Sequence, residues 1–492
     1  MYRRNISHIL ASIGLGLVLF VLYHSWLKPQ YFPPSHTAIP TTLPLEPSTA
    51  PQAPPPPSQE PIIEADRTEQ RPQQRMVPTG DPPATRYNND LKAIHEQIER
   101  HELSRTKALL TALPPQALDD KTVRRYVASL WNNLGIQQEA TSGTVAAIGS
   151  YQEAFKLDNT NNIAMLNLAH AYWEQRDPRL TQQFLNDLIG RLPKEPFPHL
   201  ALADVLLETD RLDEASKHME MATARAKQDP NVRSYLAAVS ERLKHASETE
   251  KKFSSQATTH FVVKYDGEED QSTWMAVLDI LEDAYREIGQ KLSYQPTKPI
   301  FVILHTRDKF QGATGSPAWA DGLYDGSLGR IQIPTQGALT DKTWLTRVLR
   351  HEFVHALLHE QLGSEAHKLP TWLNEGLAMQ LAGDAWPDLD QVLSTVHVGE
   401  VTLAPLDRLE GAWGGLPSEA ASLAYLEGNS ATGYLIDRFG METVREILAG
   451  IKNKQPIKVA IQEKLFMPYE QFQQQWIDTL NDKLSAAKQE SH

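Results

Sequence analysis

The 492-residue sequence contains no cysteine. Disulfides, thiolate metal sites, cysteine nucleophiles and lipid-modified cysteine anchors are therefore excluded, and any metal must be held by nitrogen and oxygen. An excess of basic residues is also missing, because 48 Lys and Arg stand against 61 Asp and Glu, for a net charge of -13. Without a basic face to neutralise phosphates, nucleic acid is not expected as a partner.

One long stretch without charged side chains lies near the N-terminus, at 6–27. It is long enough to cross a bilayer, and Arg3 and Arg4 in the preceding residues 1–5 orient the rest of the chain outward. We predict a single N-terminal transmembrane helix that acts as an uncleaved signal anchor in a bacterial inner membrane, with residues 1–5 cytoplasmic and the bulk of the chain periplasmic. A cleaved signal peptide is the alternative, although the stretch ends in aromatic residues without a small-x-small cleavage site.

The next segment, 28–88, is rich in proline. It holds 16 of the 33 prolines, with few apolar side chains between them, and so cannot form a core. At about 3.1 Å per residue in a polyproline II conformation, it could hold a domain up to about 180 Å from the membrane. We predict a disordered linker.

Residues 89–248 carry an internal repeat with a period of 34 residues. One ladder repeats a leucine followed by a small residue, and a second ladder marks a partner helix. The first consists of Leu134-Gly135, Leu168-Ala169, Leu202-Ala203 and Leu236-Ala237, and the second of Tyr151, Leu185 and Met219. Thirty-four residues make one helix-turn-helix of the tetratricopeptide type, and Trp131-Asn132-Asn133-Leu134-Gly135 resembles the opening signature of that family. We predict an all-α repeat module that binds a protein partner, with generic helical packing as the alternative.

After residue 252 the pattern changes to mixed strands and helices. Apolar runs at 261–265 and 300–304 predict strands, with a helical spacing of apolar residues between them. Two more short strands are predicted at 322–326 and 330–333, one of which could form the sheet edge. We predict an α+β catalytic domain at 255–400 with a helical C-terminal part at 401–488.

The central motif is His351-Glu352-Phe353-Val354-His355, in a helix predicted between Asp341 and Gly363. The i, i+4 spacing puts both imidazoles on one helix face, where their nitrogens can bind one Zn²⁺. Glu352 lies beside them and is predicted to act as the general base that activates a water molecule. The alternative is a core helix with two buried histidines.

A third metal ligand is predicted downstream, in Trp372-Leu373-Asn374-Glu375-Gly376. Pro370 suits the first turn of a second helix, and the 19 residues between His355 and Glu375 allow that helix to fold back beside the first. We predict that His351, His355 and Glu375 hold one zinc ion per chain and leave a fourth position open for water. Related first-row ions would also bind such a site.

These motifs resemble the gluzincins, and the segment around Glu375 is similar to the third-ligand segment of the peptidase MA-like domain. The resemblance covers about residues 255–450 and implies a thermolysin-like zincin fold that hydrolyses peptide bonds. The metzincin pattern is absent, because Leu358 and Gln361 stand where glycine and histidine would be needed. The G-x-M-E-N segment of gluzincin aminopeptidases is also absent, so exopeptidase action is not implied.

Three more residues are candidates for supporting roles. Tyr425 lies in a region where related enzymes often place a tyrosine that stabilises the oxyanion, and a tyrosine packed on the core is the alternative. Asn374 could orient a metal ligand, with helix capping as the alternative. His359 continues the i, i+4 series, but one more turn carries it about 5.4 Å further along the axis, which predicts a structural role.

Together these features predict a membrane-anchored zinc metallopeptidase whose repeats recruit a protein or peptide substrate or a protein partner. Two alternatives stay open. One is a non-catalytic tetratricopeptide scaffold with a zincin-like interaction domain, and the other is a zinc amidase that acts on a cell-wall peptide. An intact Glu352 argues against the scaffold, because a domain kept only for its shape has no need of a base.

Overall fold

The computed structural model describes residues 75–490 except 227–229, 267–270, 317–319, 384–388, 390–402, 414–415 and 417. The predicted transmembrane helix at 6–27, and the predicted linker up to residue 74, lie outside the described residues. Among the helices that are described, none combines the length and apolar character needed to cross a bilayer. The described chain divides into two compact units, with the boundary between Lys251 and Lys252.

The first unit is built from consecutive helices joined by short turns. They are α1 (Asn88–Glu99), α2 (Leu103–Ala112), α3 (Lys121–Ser142), α4 (Thr144–Leu157), α5 (Asn162–Glu174), α6 (Gln182–Arg191), α7 (Phe197–Leu207), α8 (Leu212–Arg225) and α9 (Pro230–Glu250). Asp120 and Asn161 cap α3 and α5 by accepting hydrogen bonds from two backbone N–H groups of each first turn.

Both 34-residue ladders are buried between these helices. Every leucine of the first ladder and every member of the second is at most 3 % exposed. Gly135 shows why the first ladder needs small residues, because a Cβ there would lie 2.6 Å from a ring carbon of Tyr151. The period in the sequence is thus the packing period of consecutive helix pairs.

The second unit begins with a five-stranded mixed sheet. Its strands are β1 (Ser254–Ala257), β2 (Phe261–Tyr265), β3 (Ile300–Thr306), β4 (Leu323–Asp325) and β5 (Arg330–Thr335). Their order is β1-β2-β3-β5-β4, with β2, β3 and β5 parallel and both edge strands antiparallel to their neighbours. Strand β4 is therefore a sheet edge, as the sequence indicates for one of the two short strands.

Seven helices complete the described part of this unit. They are α10 (Gln271–Leu292), α11 (Arg307–Thr314), α12 (Lys342–Leu362), α13 (Thr371–Ala382), α14 (Ser418–Lys452, interrupted at Gly440), α15 (Ile457–Leu465) and α16 (Tyr469–Glu490). One core joins them to the sheet: Phe353 of α12 contacts Phe261 of β2, and Trp372 of α13 contacts Phe472 of α16. The C-terminal helices thus share the core of the α/β part.

Candidate metal centre and active site

Helix α12 begins and ends where the sequence predicts. Asp341 accepts hydrogen bonds from two first-turn N–H groups at 2.7 and 3.1 Å, and Gly363 follows the last turn with a φ of 59°. Phe353 and Val354 are fully buried, which fixes the rotation of the helix about its axis. The neighbouring side chains of His351, Glu352 and His355 therefore have defined directions.

The imidazoles of His351 and His355 lie one turn apart on α12 and converge. Their ring centroids are 4.8 Å apart at an interplanar angle of 80°, and their Nε2 atoms are separated by 3.1 Å. Both Nε2 atoms therefore face one point beside the helix.

Glu375 reaches the two histidines from α13. A 3-10 turn at Gly363–Lys368 reverses the chain after α12, and α13 begins directly after Pro370. The Oε2 atom of Glu375 lies 3.3 Å from Nε2 of His351 and 3.4 Å from Nε2 of His355. The predicted trio is therefore brought together.

Gly376 fixes α13, and with it Glu375, against α14. A Cβ at this glycine would lie 2.1 Å from Oγ1 of Thr432 and 2.5 Å from the carbonyl oxygen of Gly428. Only a residue without a side chain permits that approach. The glycine next to the ligand is thus explained by helix packing.

The three ligand atoms fit a tetrahedral metal ion. Ligands at about 2.0–2.1 Å from a tetrahedral zinc are about 3.3–3.4 Å apart, and the three observed separations are 3.1, 3.3 and 3.4 Å. In addition, Oε2 of Glu375 is buried without a hydrogen bond of good geometry, which suits a carboxylate that binds a cation. These three residues form such a group in the described part of the chain.

The charges of the site oppose the effect of burial. Burial by itself lowers the pKa of His355, but the nearby negative charge of Glu375 raises that pKa to about 9. Burial likewise raises the pKa of Glu375, but His355 and His351 lower it well below its usual range. The carboxylate therefore stays ionised, and its negative charge favours a cation beside it, either the protonated His355 or a metal ion.

Asn374 supports His355 from behind. Its Oδ1 lies 3.1 Å from Nδ1 of His355. Because an amide oxygen only accepts, Nδ1 carries a proton, and Nε2 is the nitrogen left to bind a metal ion once it loses its own proton. Asn374 does not cap α13, where Pro370 holds the cap position, so the geometry matches the orienting role rather than the capping alternative.

Glu352 lies beside the trio at the edge of the sheet. It is 8 % exposed, and burial raises its pKa more than His355 and His351 lower it. The backbone N–H of Tyr324 on edge strand β4 donates a hydrogen bond to it. Gly322 lets the chain before β4 pack closely on α12, because a Cβ there would lie 2.6 Å from a side-chain carbon of Val348 and 3.2 Å from Cγ of Glu352. A buried carboxylate beside the three ligands is placed to exchange protons with groups bound there.

Tyr425 lies within the electric field of the site's carboxylates, whereas His359 lies outside the three predicted metal ligands. Burial raises the pKa of Tyr425 well above 10, and the charges of Glu375 and Glu352 raise it further, so its hydroxyl stays protonated within the field of the site. Its ring also packs edge-on against Trp413, so both sequence interpretations keep a structural basis. Nδ1 of His359 lies 3.0 Å from the hydroxyl of Tyr324, outside the trio, as predicted.

Sequence reasoning missed Tyr324 at the site and the buried carboxylate of Glu427. Tyr324 contacts both Glu352 and His359, and its only signal was the glycine-flanked short strand. Glu427 is 1 % exposed and accepts the backbone N–H of Ala404 with both carboxylate oxygens at 3.2 Å. Its place two residues after Tyr425 gave no sign of this long-range contact.

Comparison with known families agrees with this geometry. A profile of the Peptidase MA superfamily matches residues 282–481, which include the trio, Glu352 and Tyr425, and a tetratricopeptide repeat profile matches residues 173–239. No curated protein matches the chain. The chain therefore contains a Peptidase MA superfamily domain that is preceded by a tetratricopeptide repeat region.

Proposed function

We propose that this chain is a zinc-dependent metallopeptidase that hydrolyses peptide bonds. The observation that carries the proposal is that the ligand atoms of His351, His355 and Glu375 are separated by about the edge length of a zinc-centred tetrahedron. The buried carboxylate of Glu352 lies beside them. A domain kept only for its shape would need neither.

Each residue of the site has its own role in the proposed reaction. Asn374 holds His355 in the tautomer that binds a metal, and Glu375 supplies the negative charge that attracts it. A zinc ion bound there would lower the pKa of water and polarise a substrate carbonyl. Glu352 would accept a proton from that water and pass it to the leaving amine, because its buried carboxylate lies within the field of His351, His355 and Glu375. Tyr425 offers a protonated hydroxyl for the developing negative charge.

The position of β4 supports a peptide as the substrate. It is one of the two edge strands of the sheet, and the N–H of Tyr324 on that strand contacts Glu352. Edge strands pair with extended peptides through main-chain hydrogen bonds. A substrate strand added at β4 would run past the general base.

The proposal includes the N-terminal membrane anchor, which is supported by the sequence alone. The uncharged stretch 6–27 and the proline-rich linker would hold the enzyme at a bacterial inner membrane with the repeats and the catalytic domain in the periplasm. The repeats would recruit the protein substrate or a partner.

The test compares peptide cleavage by the wild-type chain, Glu352→Gln and the matched control Glu360→Gln on the same helix. Loss of the base should lower cleavage by about 10²–10⁴-fold, whereas the metal content of all three should be the same. Equal cleavage by wild type and Glu352→Gln would refute the role of Glu352. A wild type that binds metal but cleaves no peptide would favour the scaffold alternative.

A further inference from the structure

A short segment of the chain, Arg75–Val77, is bound by asparagines of the repeat module. Asn133 accepts the N–H of Val77 at 2.9 Å and donates to its carbonyl at 3.0 Å. Asn167 binds Arg75 in the same way: it accepts a hydrogen bond from the N–H at 3.4 Å and donates one to the carbonyl at 3.2 Å. Each asparagine thus binds both main-chain groups of one residue.

The two asparagines occupy the same position in consecutive repeats, because 133 and 167 differ by the 34-residue period. They bind alternate residues of the segment, which matches the two-residue period of an extended chain. Asn132 links them, since it accepts from Asn167 at 2.9 Å and donates to Asn133 at 3.2 Å. The spacing of the repeats therefore sets the spacing at which a backbone is recognised.

The amides of this network are at most 3 % exposed. Buried amide groups must be hydrogen-bonded, so the site needs a backbone or ordered water across it at all times. This arrangement is a built surface for an extended peptide and cannot be explained as a solvated face.

The side chain of Arg75 in the bound segment makes an ion pair with the repeat module. The guanidinium of Arg75 lies 3.0 Å from Oε2 of Glu195, whereas Met76 between the two bound residues is 49 % exposed. Backbone contacts accept almost any sequence, and Glu195 adds a preference for one basic residue.

We propose that Asn132, Asn133, Asn167 and Glu195 form a binding site for an extended, singly basic peptide, and that the segment Arg75–Val77 occupies this site in cis. A segment of another protein binds by displacing it. The cis segment therefore sets a threshold for recruitment, because the site is open in only a fraction of the molecules. The inference does not depend on peptidase activity.

The test measures binding of a labelled synthetic peptide, with the sequence of residues 71–81, to the full chain by fluorescence polarisation. Val77→Pro in the chain removes the N–H that Asn133 accepts and so weakens the cis competitor. This chain should bind the peptide about tenfold more tightly than wild type. Adding Asn133→Ala and Asn167→Ala should abolish the gain, whereas Asn186→Ala, an exposed asparagine of α6, should leave it unchanged.

Peptide variants make the test independent of protein folding. Methylation of the peptide nitrogen at the Val77 position should weaken binding to the Val77→Pro chain about tenfold, because a buried acceptor loses its donor. Replacing the peptide's Arg75 by alanine should weaken binding less, and replacing its Met76 should have no effect. The proposal is overturned if the methylated peptide binds as tightly as the unmodified one, or if Val77→Pro binds no more peptide than wild type.

Discussion

Each unit of the chain contains two histidines whose ring nitrogens meet. In the repeat unit, Nδ1 of His199 on α7 lies 3.0 Å from Nδ1 of His218 on α8. In the catalytic unit, Nε2 of His351 lies 3.1 Å from Nε2 of His355. The pKa shifts are opposite: that of His199 is lowered to about 4, mainly by burial, whereas that of His355 is raised to about 9 despite burial, because of Glu375.

The carboxylate makes the difference. Glu214 raises the pKa of His218, but burial outweighs it, and Arg225 lowers the pKa of His199 further. That pair stays neutral and serves packing. Glu375 lies within 3.4 Å of both nitrogens of the other pair. A close pair of imidazoles therefore becomes a cation site only when a third, negatively charged group joins it.

Removing that charge should make the catalytic pair behave like the structural pair. Glu375→Gln keeps the shape of the side chain but leaves burial less opposed, so the pKa of His355 should fall well below 9 in the metal-free chain. Zinc affinity should fall on the order of a thousandfold, since zinc sites share roughly 10–16 kcal/mol among few ligands. NMR titration of labelled histidines and competition with a chelator measure the two effects. Glu214→Gln, beside His218, is the control, and unchanged zinc affinity in Glu375→Gln would contradict the assignment.

A second variant should displace the carboxylate of Glu375 from the catalytic pair without removing it. Gly376→Ala places a Cβ against Thr432 and the backbone of α14, which should destabilise the catalytic unit by about 3 kcal/mol. Gly149→Ala, in an exposed helical position with no atom near the added Cβ, should instead stabilise the chain by up to about 1 kcal/mol. Chemical unfolding measures both, and equal effects would show that the close approach of α13 and α14 does not constrain the site.

The orientation of His355 is the third feature that separates the two pairs. Asn374→Ala removes the acceptor that fixes the proton on Nδ1, so zinc affinity should fall roughly 10- to 100-fold. Asn374→Asp keeps an acceptor and should restore most of the affinity. If alanine and aspartate variants bind zinc equally, the contact has no orienting role.

The structural pair should show its own pH dependence. The folded pKa of His199 is about 4, below the ordinary value near 6.5, so between these values the unfolded chain binds more protons. The contribution of the neutral His199 to the free energy of unfolding is complete above pH 6.5 and is lost as the pH falls toward 4. The loss is on the order of 1–2 kcal/mol at pH 5. Urea unfolding at pH 7 and pH 5 measures the loss. His199→Gln should reduce it, and an unchanged loss in that variant would assign it to other groups.

The sequence predicted the elements whose signals are local. Asp341 and Gly363 set the ends of α12, and the ladders set the helix pairs, because capping and helical periodicity act within a few residues. Strand β1 was missed because all four of its residues are polar or small and exposed, so it has no apolar alternation. It is held by main-chain pairing with β2, which the side chains do not reveal.

Contacts between distant residues explain most of what was missed at the sites. Arg75–Val77 was predicted to belong to the disordered linker 28–88, yet it binds asparagines 56 and 92 positions away. The trio was predictable because its chemistry restricts the residue types and because the helix start at Pro370 and the spacing from His355 indicated Glu375 as the third ligand. No such chemical restriction on residue type applies to Tyr324 or Glu427, so the sequence did not single them out.

The most direct test is the zinc content of the purified chain after zinc is supplied, beside His351→Ala/His355→Ala and the matched variant His199→Ala/His218→Ala. The account predicts about one zinc per chain in the wild type and in the variant of the repeat module, and none when the pair of α12 is removed. No zinc in the wild type, or zinc retained without His351 and His355, would contradict it.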